Sequence, residues 1–140
     1  MKKIYKKNIV ALVFSDLHLN NWAKFNNKGE RTENGFKVLS LIAEKCSILK
    51  VPALFCGDLF HKPNTIDTTL LNRFVKWQSE SYNKYPSFRC YAISGNHDLP
   101  SLNRIDNLTD SLIDVFSGYG PSEWGFKVLN KSSVDISFLG

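Results

Sequence analysis

The sequence predicts an α/β fold in which parallel strands are joined by crossover helices. Three short apolar runs alternate along the chain with two longer segments of helical periodicity. This alternation is typical of parallel sheets, whose strands are connected by right-handed crossovers. Each apolar run also ends in a cluster of polar residues, and parallel sheets bind ligands at the carboxyl ends of their strands. The two patterns together indicate one functional site at one edge of one sheet.

The composition is that of one folded domain. Of the 140 residues, 43% are hydrophobic and 22% are charged. This content allows one buried core, is too small for two domains, and argues against a disordered or coiled-coil protein. The formal net charge of +5 favours polyanionic partners without identifying one. Part of this excess comes from lysines near the start of the chain, which we interpret as a solvated basic end.

The cysteines and the first apolar run indicate where the protein works. Cys46, Cys56 and Cys90 are isolated from one another within apolar runs, so we expect reduced core residues. The lysines before residues 9–14 mimic a secretion signal, but the apolar run is too short and no small-residue cleavage site follows it. We therefore predict a cytoplasmic protein without membrane association.

The sequence predicts a strand, a helix and a second strand in its first 58 residues. Residues 9–14 are an uninterrupted apolar run, which predicts a strand buried on both faces and ending at Ser15-Asp16. A helix should follow, from Thr32 as its cap to about residue 50. Residues 51–56 then predict a second strand, which ends at Gly57-Asp58. The apolar face of the helix should contain Phe36, Leu39, Ala43 and Cys46.

A second helix and a third strand continue the pattern. Residues 65–83 place an apolar stripe opposite polar residues, as a crossover helix requires. Residues 88–94 predict the third strand, which closes at Gly95-Asn96-His97-Asp98. Weaker patterns beyond residue 100 predict a short helix near residues 108–116, a turn at Gly118 and Gly120, and strands at 126–129 and 134–139.

The residues at the strand ends are of types that bind metal ions. Asp16 and His18 alternate, so in an extended chain they would point the same way and could bind one ion. Asp58 follows a glycine, which allows close backbone approach, and its two oxygens could bridge two ions. Asn96 offers an oxygen ligand, and His97 could contact a phosphate or protonate a leaving oxygen. Each motif alone is weak, but their order at three strand ends argues against chance.

The motifs resemble those of a known family. The segments Ser15-Asp16-Leu17-His18, Gly57-Asp58 and Gly95-Asn96-His97-Asp98 are similar to the first three motifs of the calcineurin-like metallophosphoesterases. One segment is similar to the corresponding segment of a particular branch of that family, the DNA-repair nucleases of the Mre11/SbcD type. This segment is Gly57-Asp58-Leu59-Phe60-His61-Lys62-Pro63. The resemblance covers roughly residues 8–100 and implies the N-terminal part of an α/β/β/α sandwich.

The resemblance also implies a metal centre. Asp16 and His18 would bind the first of two divalent ions, Asp58 would bridge the pair, and Asn96 would bind the second. Carboxylate and amide oxygens together with imidazoles suit Mn²⁺, Fe²⁺ or Zn²⁺, and the family resemblance favours Mn²⁺.

The implied catalytic residues are His97, which would contact the phosphate, and His61, which would help to orient or stabilise it. Asp98 would not bind a metal ion itself but would hold the residues that do. The implied activity is metal-dependent hydrolysis of DNA phosphodiesters by an exonuclease of DNA repair and recombination. Nucleases of this type dimerise and work with an ATPase of the Rad50/SbcC type, so a homodimer and such an ATPase are the implied partners.

The sequence departs from the family pattern after residue 98. A full site also needs a later histidine and a Gly-His-x-His motif, yet the chain has three histidines in all: His18, His61 and His97. Later acidic residues lack the motif context to replace them; these are Asp106, Asp110, Asp114, Glu123 and Asp135. Either residues 1–140 form a phosphoesterase domain that is incomplete at its C-terminus, or this is a short protein whose site has decayed.

Three functions therefore stay open. The first is a DNA nuclease, and the second is a phosphoesterase of the same fold that acts on other esters. The third is an inactive module that binds DNA or a protein partner. A basic and aromatic loop after the first motif could contact nucleic acid, although a solvated surface is the commoner role of such loops. Its residues are Trp22, Lys24, Phe25, Lys28 and Arg31.

Overall fold

Parallel strands and helices alternate as predicted. The computed structural model describes residues 8–22, 24, 29–62 and 67–98, together with the backbone of residues 126–128. The elements are β1 (Leu12–Phe14), α1 (Glu30–Leu49), β2 (Ala53–Phe55), α2 (Thr68–Lys84), β3 (Cys90–Ala92) and β4 (Phe126–Val128). The strands pair in parallel in the order β1-β2-β3-β4. The predicted fold class is confirmed.

The two helices share one face of the sheet. Alternate residues of the strands, among them Phe55 and Cys90, form one buried cluster with the apolar sides of α1 and α2. The predicted apolar face of α1 is buried as expected. The helices also contact each other directly, since the Trp77 indole N–H donates to the Ser40 hydroxyl at 3.0 Å. Burial of each large side chain in this cluster contributes about 1.5–3 kcal/mol to folding.

The opposite face of the sheet is more open, so the prediction that β1 is buried on both faces is wrong for the described residues. Val13 is 65% exposed, and its register neighbours Leu54 and Tyr91 are only half-buried. The apolar run correctly predicted a strand. It could not show that the helices cover only the side on which Leu12 and Phe14 lie.

Helix α1 starts before its predicted cap Thr32, and α2, for which no cap was predicted, has one. Helix α1 begins at Glu30 after Gly29, whose φ of 83° suits a glycine, and Thr32 lies inside the helix. The Thr32 hydroxyl instead donates to the Asn20 carbonyl at 2.5 Å, so it ties α1 to the loop after β1. Helix α2 is capped by Asp67, which accepts a hydrogen bond from the Leu70 amide at 3.0 Å.

Two of the three cysteines behave as predicted. Cys46 and Cys90 are buried, whereas Cys56 is exposed, because it follows β2 at the sheet edge. Burial raises the pKa of Cys46 to about 11 and raises that of Cys90 well above its ordinary value. Both buried thiols are therefore protonated and unreactive at neutral pH.

Predictions beyond residue 98 are tested only at β4, which agrees with the predicted strand at residues 126–129. The predicted helix near residues 108–116, the turn at Gly118 and Gly120 and the strand at 134–139 lie outside the described residues. Within the described part of the chain, neither helix has the length and apolar character needed to cross a membrane.

Candidate metal centre

The loops that follow β1 and β2 run side by side as a continuation of the parallel sheet. The Asp16 amide donates to the Gly57 carbonyl at 3.1 Å, and the His18 amide donates to the Asp58 carbonyl at 3.0 Å. A further parallel bridge joins Leu19 to Phe60. These backbone bonds place the first two predicted motifs next to each other at the carboxyl edge of the sheet.

Three residues of these loops have left-handed backbones, although none of them is a glycine. The φ angles are 58° at Asp16, 44° at His18 and 64° at Asp58. The premise that the chain stays extended after β1 is therefore wrong. A left-handed residue of this kind costs roughly 1 kcal/mol or more, and such residues concentrate at functional sites. Here the left-handed turns bring the side chains of Asp16, His18 and Asp58 close to one another.

Asp16, His18 and Asp58 form a group that fits one divalent cation. The His18 Nε2 atom lies 3.6 Å from an Asp16 carboxylate oxygen and 4.0 Å from one of Asp58. One potential ligand atom from each residue lies within 4.8 Å of the others. Ligands bound at 2.0–2.2 Å to one ion are separated by roughly 3–3.5 Å, so small side-chain movements would close the site. Its two carboxylates and one imidazole suit Mn²⁺, Fe²⁺ or Zn²⁺.

Two glycines allow the loops to approach this closely. A Cβ atom on Gly95 would lie 2.1 Å from the Asp58 Oδ1 atom, and one on Gly57 would lie 2.3 Å from the Gly95 amide nitrogen. Gly57 also has a φ of 95°. The predicted need for a glycine before Asp58 is confirmed, and the need for Gly95 is an addition that only the packing reveals.

The Asp98 side chain links the loop after β3, to which it belongs, to the loop after β2. Its Oδ2 atom accepts hydrogen bonds from the Asp58 amide at 2.7 Å and the Gly95 amide at 2.9 Å, and its Oδ1 atom accepts one from the Leu59 amide at 3.2 Å. The side chain is fully buried. Burial raises the pKa of Asp98 above its ordinary value, although the three amides act in the opposite direction.

The loop after β3 brings the third motif to the same place. The His97 amide donates to the Asp58 Oδ1 atom at 2.9 Å, which leaves Oδ2 facing His18. Asn96 precedes it in the turn and is exposed. Its predicted role as a ligand of the second ion stays a prediction, as do the other assigned roles.

All three histidines of the chain meet at this site. The ring centroids of His18 and His97 are 4.7 Å apart, those of His18 and His61 are 5.5 Å apart, and His61 stacks on His97 at 5.6 Å. The His97 Nδ1–H donates to the His61 carbonyl at 2.6 Å, because a carbonyl can only accept. His97 therefore presents its Nε2 atom to the site.

Desolvation is the main cause of a lowered pKa at His61, and the neighbouring histidines, Arg31 and Lys62 lower it further. His61 is therefore mostly neutral at neutral pH. It can present a lone pair or an N–H, but it carries little positive charge.

A cavity of about 320 Å³ lies beside His61, and sequence reasoning missed it. The Trp22 ring lies 6.3 Å from the His61 ring, with an angle of 30° between the ring planes. Of the predicted basic and aromatic loop, Trp22, Lys24 and Arg31 are exposed, whereas Phe25 and Lys28 lie outside the described residues. The aromatic composition of that loop was the signal available in the sequence.

Comparison with known proteins agrees with this geometry. The profile of the calcineurin-like phosphoesterases matches residues 9–137. Among curated proteins, no significant match is found. Because the matched segment spans most of the chain, the protein belongs to the calcineurin-like phosphoesterase family. Membership assigns it metal-dependent hydrolysis of phosphoesters.

Proposed function

We propose that this calcineurin-like phosphoesterase hydrolyses DNA phosphodiesters, as the exonuclease subunit of an Mre11/SbcD-type assembly. The observation that carries the proposal is the position of His61. It lies three residues after Asp58, in the segment of the chain that resembles those nucleases. Its ring stacks on His97 beside the candidate metal ligands. The net charge of +5 also favours a polyanionic substrate.

Asp16, His18 and Asp58 would hold one ion, and Asp58 with Asn96 would hold the second; we propose Mn²⁺ for both. When bound, the ions would act as Lewis acids that stabilise negative charge on the reacting phosphate. The donor set observed in the structure suits this role for the first ion.

The histidines would act on the substrate itself. The His61 carbonyl holds His97 by its Nδ1–H, so the His97 Nε2 atom is the one that faces the site. In its doubly protonated form His97 would use its Nε2–H to hydrogen-bond a phosphate oxygen or to give a proton to the leaving oxygen, and its ring would then be neutral. The His61 ring, kept mostly neutral by its lowered pKa, would hold the phosphate through its own N–H.

The assembly completes the proposal. In it the protein works in the cytoplasm as a homodimer, bound to DNA and to an ATPase of the Rad50/SbcC type. This part is supported by the similarity of residues 57–63 to the Mre11/SbcD segment. Co-purification of an ABC-class ATPase with the tagged protein from its native cells would support it, and purification of the tagged protein alone would count against it.

The activity can be tested on end-labelled linear duplex DNA with Mn²⁺, in parallel with a small chromogenic phosphodiester. We expect release of nucleotides from DNA that EDTA abolishes and that the Asp58→Asn variant lacks. Hydrolysis of the chromogenic diester without cleavage of DNA would favour a phosphoesterase that acts on other esters.

A third outcome would identify a binding module. In that case neither substrate would be cleaved, and DNA binding would be the same with and without metal and in Asp58→Asn. This reading has its own support in the presence of only three histidines in the chain.

A further inference from the structure

We propose that His18, His61 and His97 form a second, mutually exclusive metal site that captures Zn²⁺ and thereby withdraws His18 from the carboxylate site. One ring nitrogen from each of the three histidines lies within 4.8 Å of the others. This ligand set differs from Asp16, His18 and Asp58 and shares one residue with it. The proposal does not depend on the substrate of the enzyme.

The distances suit a single ion. Nitrogen ligands bind Zn²⁺ at about 2.0–2.1 Å, which places them roughly 3.3 Å apart around a tetrahedral ion. The observed separations of up to 4.8 Å would close by side-chain shifts on the order of 1 Å. The three rings are half-buried, so an ion can reach them from solvent while the protein still limits their movement.

The hydrogen bonds leave lone pairs available. The bond from the His97 Nδ1–H to the His61 carbonyl fixes Nε2 of His97 as its ligand atom. Such a bond is the usual device that orients a metal-binding histidine. The Nδ1 atoms of His18 and His61 are buried and have no hydrogen-bond partner within the described residues. Because no such partner fixes Nδ1 of these two rings, either can adopt the tautomer that an ion requires.

The chemistry of the two sets separates the metals. Three neutral imidazoles bind divalent first-row metal ions with an affinity that increases from Mn²⁺ to Cu²⁺. Zn²⁺ is also bound strongly by such ligands. The carboxylate site also accepts harder ions such as Mn²⁺ through Asp16 and Asp58, whereas three imidazoles bind Mn²⁺ poorly. A neutral imidazole has one lone pair, so His18 can serve only one ion at a time. Zn²⁺ in the histidine site therefore opposes Mn²⁺ in the carboxylate site.

Electron paramagnetic resonance of bound Cu²⁺ tests the ligand set without any assay of activity. We expect hyperfine coupling to three imidazole nitrogens in the wild-type protein and to two in the His61→Ala variant. The control is Asp58→Asn, which removes a ligand of the carboxylate site and should keep all three nitrogens. One nitrogen in the wild-type protein would place the ion at Asp16 and Asp58 and would overturn the proposal.

Zn²⁺ itself is tested by competition. Zn²⁺ should displace the three-nitrogen Cu²⁺ signal, and isothermal titration should show that His61→Ala weakens Zn²⁺ binding by at least ~10-fold. His97→Gln gives a second test if His61→Ala does not fold, as judged by circular dichroism. Equal Zn²⁺ affinity in the wild-type protein and a folded histidine variant would refute the site. Failure to cleave DNA would not affect either result.

Discussion

Replacing Asp98 by asparagine should destabilise the domain by about 2–3 kcal/mol, because this carboxylate ties together two loops of the metal centre. Asparagine keeps one acceptor oxygen, which can serve the Asp58 and Gly95 amides, but its NH₂ group would then face the Leu59 amide. A buried N–H without a partner costs about 1–3 kcal/mol, and each bond that loses its charged acceptor weakens by about 1 kcal/mol. Relief of the buried charge offsets part of this sum.

The pH dependence gives a second readout of the same change. Burial raises the pKa of Asp98 above its ordinary value of 3.8, so the folded protein binds this proton more tightly than the unfolded chain does. The stabilising contribution of that proton is complete below pH 3.8 and is lost as the pH rises through the folded pKa. Asparagine lacks this titration. The stability advantage of the wild-type protein over Asp98→Asn should therefore shrink as the pH rises from 3.8 through the folded pKa of Asp98.

Urea unfolding without added metal would measure both effects. The matched control is Asp67→Asn, the same chemical change at an exposed carboxylate that caps α2. Asparagine caps helices about as well as aspartate, so the control should lose less than about 0.5 kcal/mol. If the two variants lost equal stability, the linking role of Asp98 would be wrong.

Three further changes test the ligands and their surroundings. Asp58→Asn should abolish loading of two ions, and equal metal content by elemental analysis in variant and wild type would contradict the bridging role. His97→Ala should keep the metal while cleavage falls by ~100-fold or more, since general acid and phosphate contacts contribute that much; unchanged turnover would exclude the assigned role. Gly95→Ala should lower the melting temperature by several degrees, because its Cβ atom would overlap the Asp58 carboxylate. A melting temperature unchanged by Gly95→Ala would refute the close approach.

The sequence was sufficient to predict that the motifs meet. Alternating strands and helices imply parallel pairing, and parallel pairing places the carboxyl ends of β1, β2 and β3 at one edge. Because β1, β2 and β3 are also adjacent in the sheet, Asp16, Asp58 and His97 lie close together at that edge. The prediction succeeded because it used only the period of the apolar residues and the handedness of crossovers.

The backbone of the site could not be predicted in the same way. The left-handed turns at Asp16, His18 and Asp58 follow hydrogen bonds between two loops that are about 40 residues apart in the chain, such as that from the His18 amide to the Asp58 carbonyl. Aspartate and histidine adopt many backbone conformations, so their local propensity does not predict a left-handed turn at these positions.

Burial at the sheet surface depends in the same way on distant contacts. The apolar run of β1 predicts a strand, but its pattern does not state which residues cover each face, and Val13 is exposed. Cys56 likewise lies in an apolar stretch and is exposed at the sheet edge. The predicted cap of α1 was wrong for a related reason, since Thr32 lies within the helix and its hydroxyl donates to the Asn20 carbonyl in the loop after β1.

The most direct test of the metal centre is the position of Mn²⁺ in crystals grown with that ion, located by anomalous scattering. A peak coordinated by Asp16, His18 and Asp58 is the predicted result, and it should be lost or moved in the Asp58→Asn variant. A peak bound elsewhere, with these three side chains making no contact to it, would contradict the proposal that the strand-end loops form one metal site.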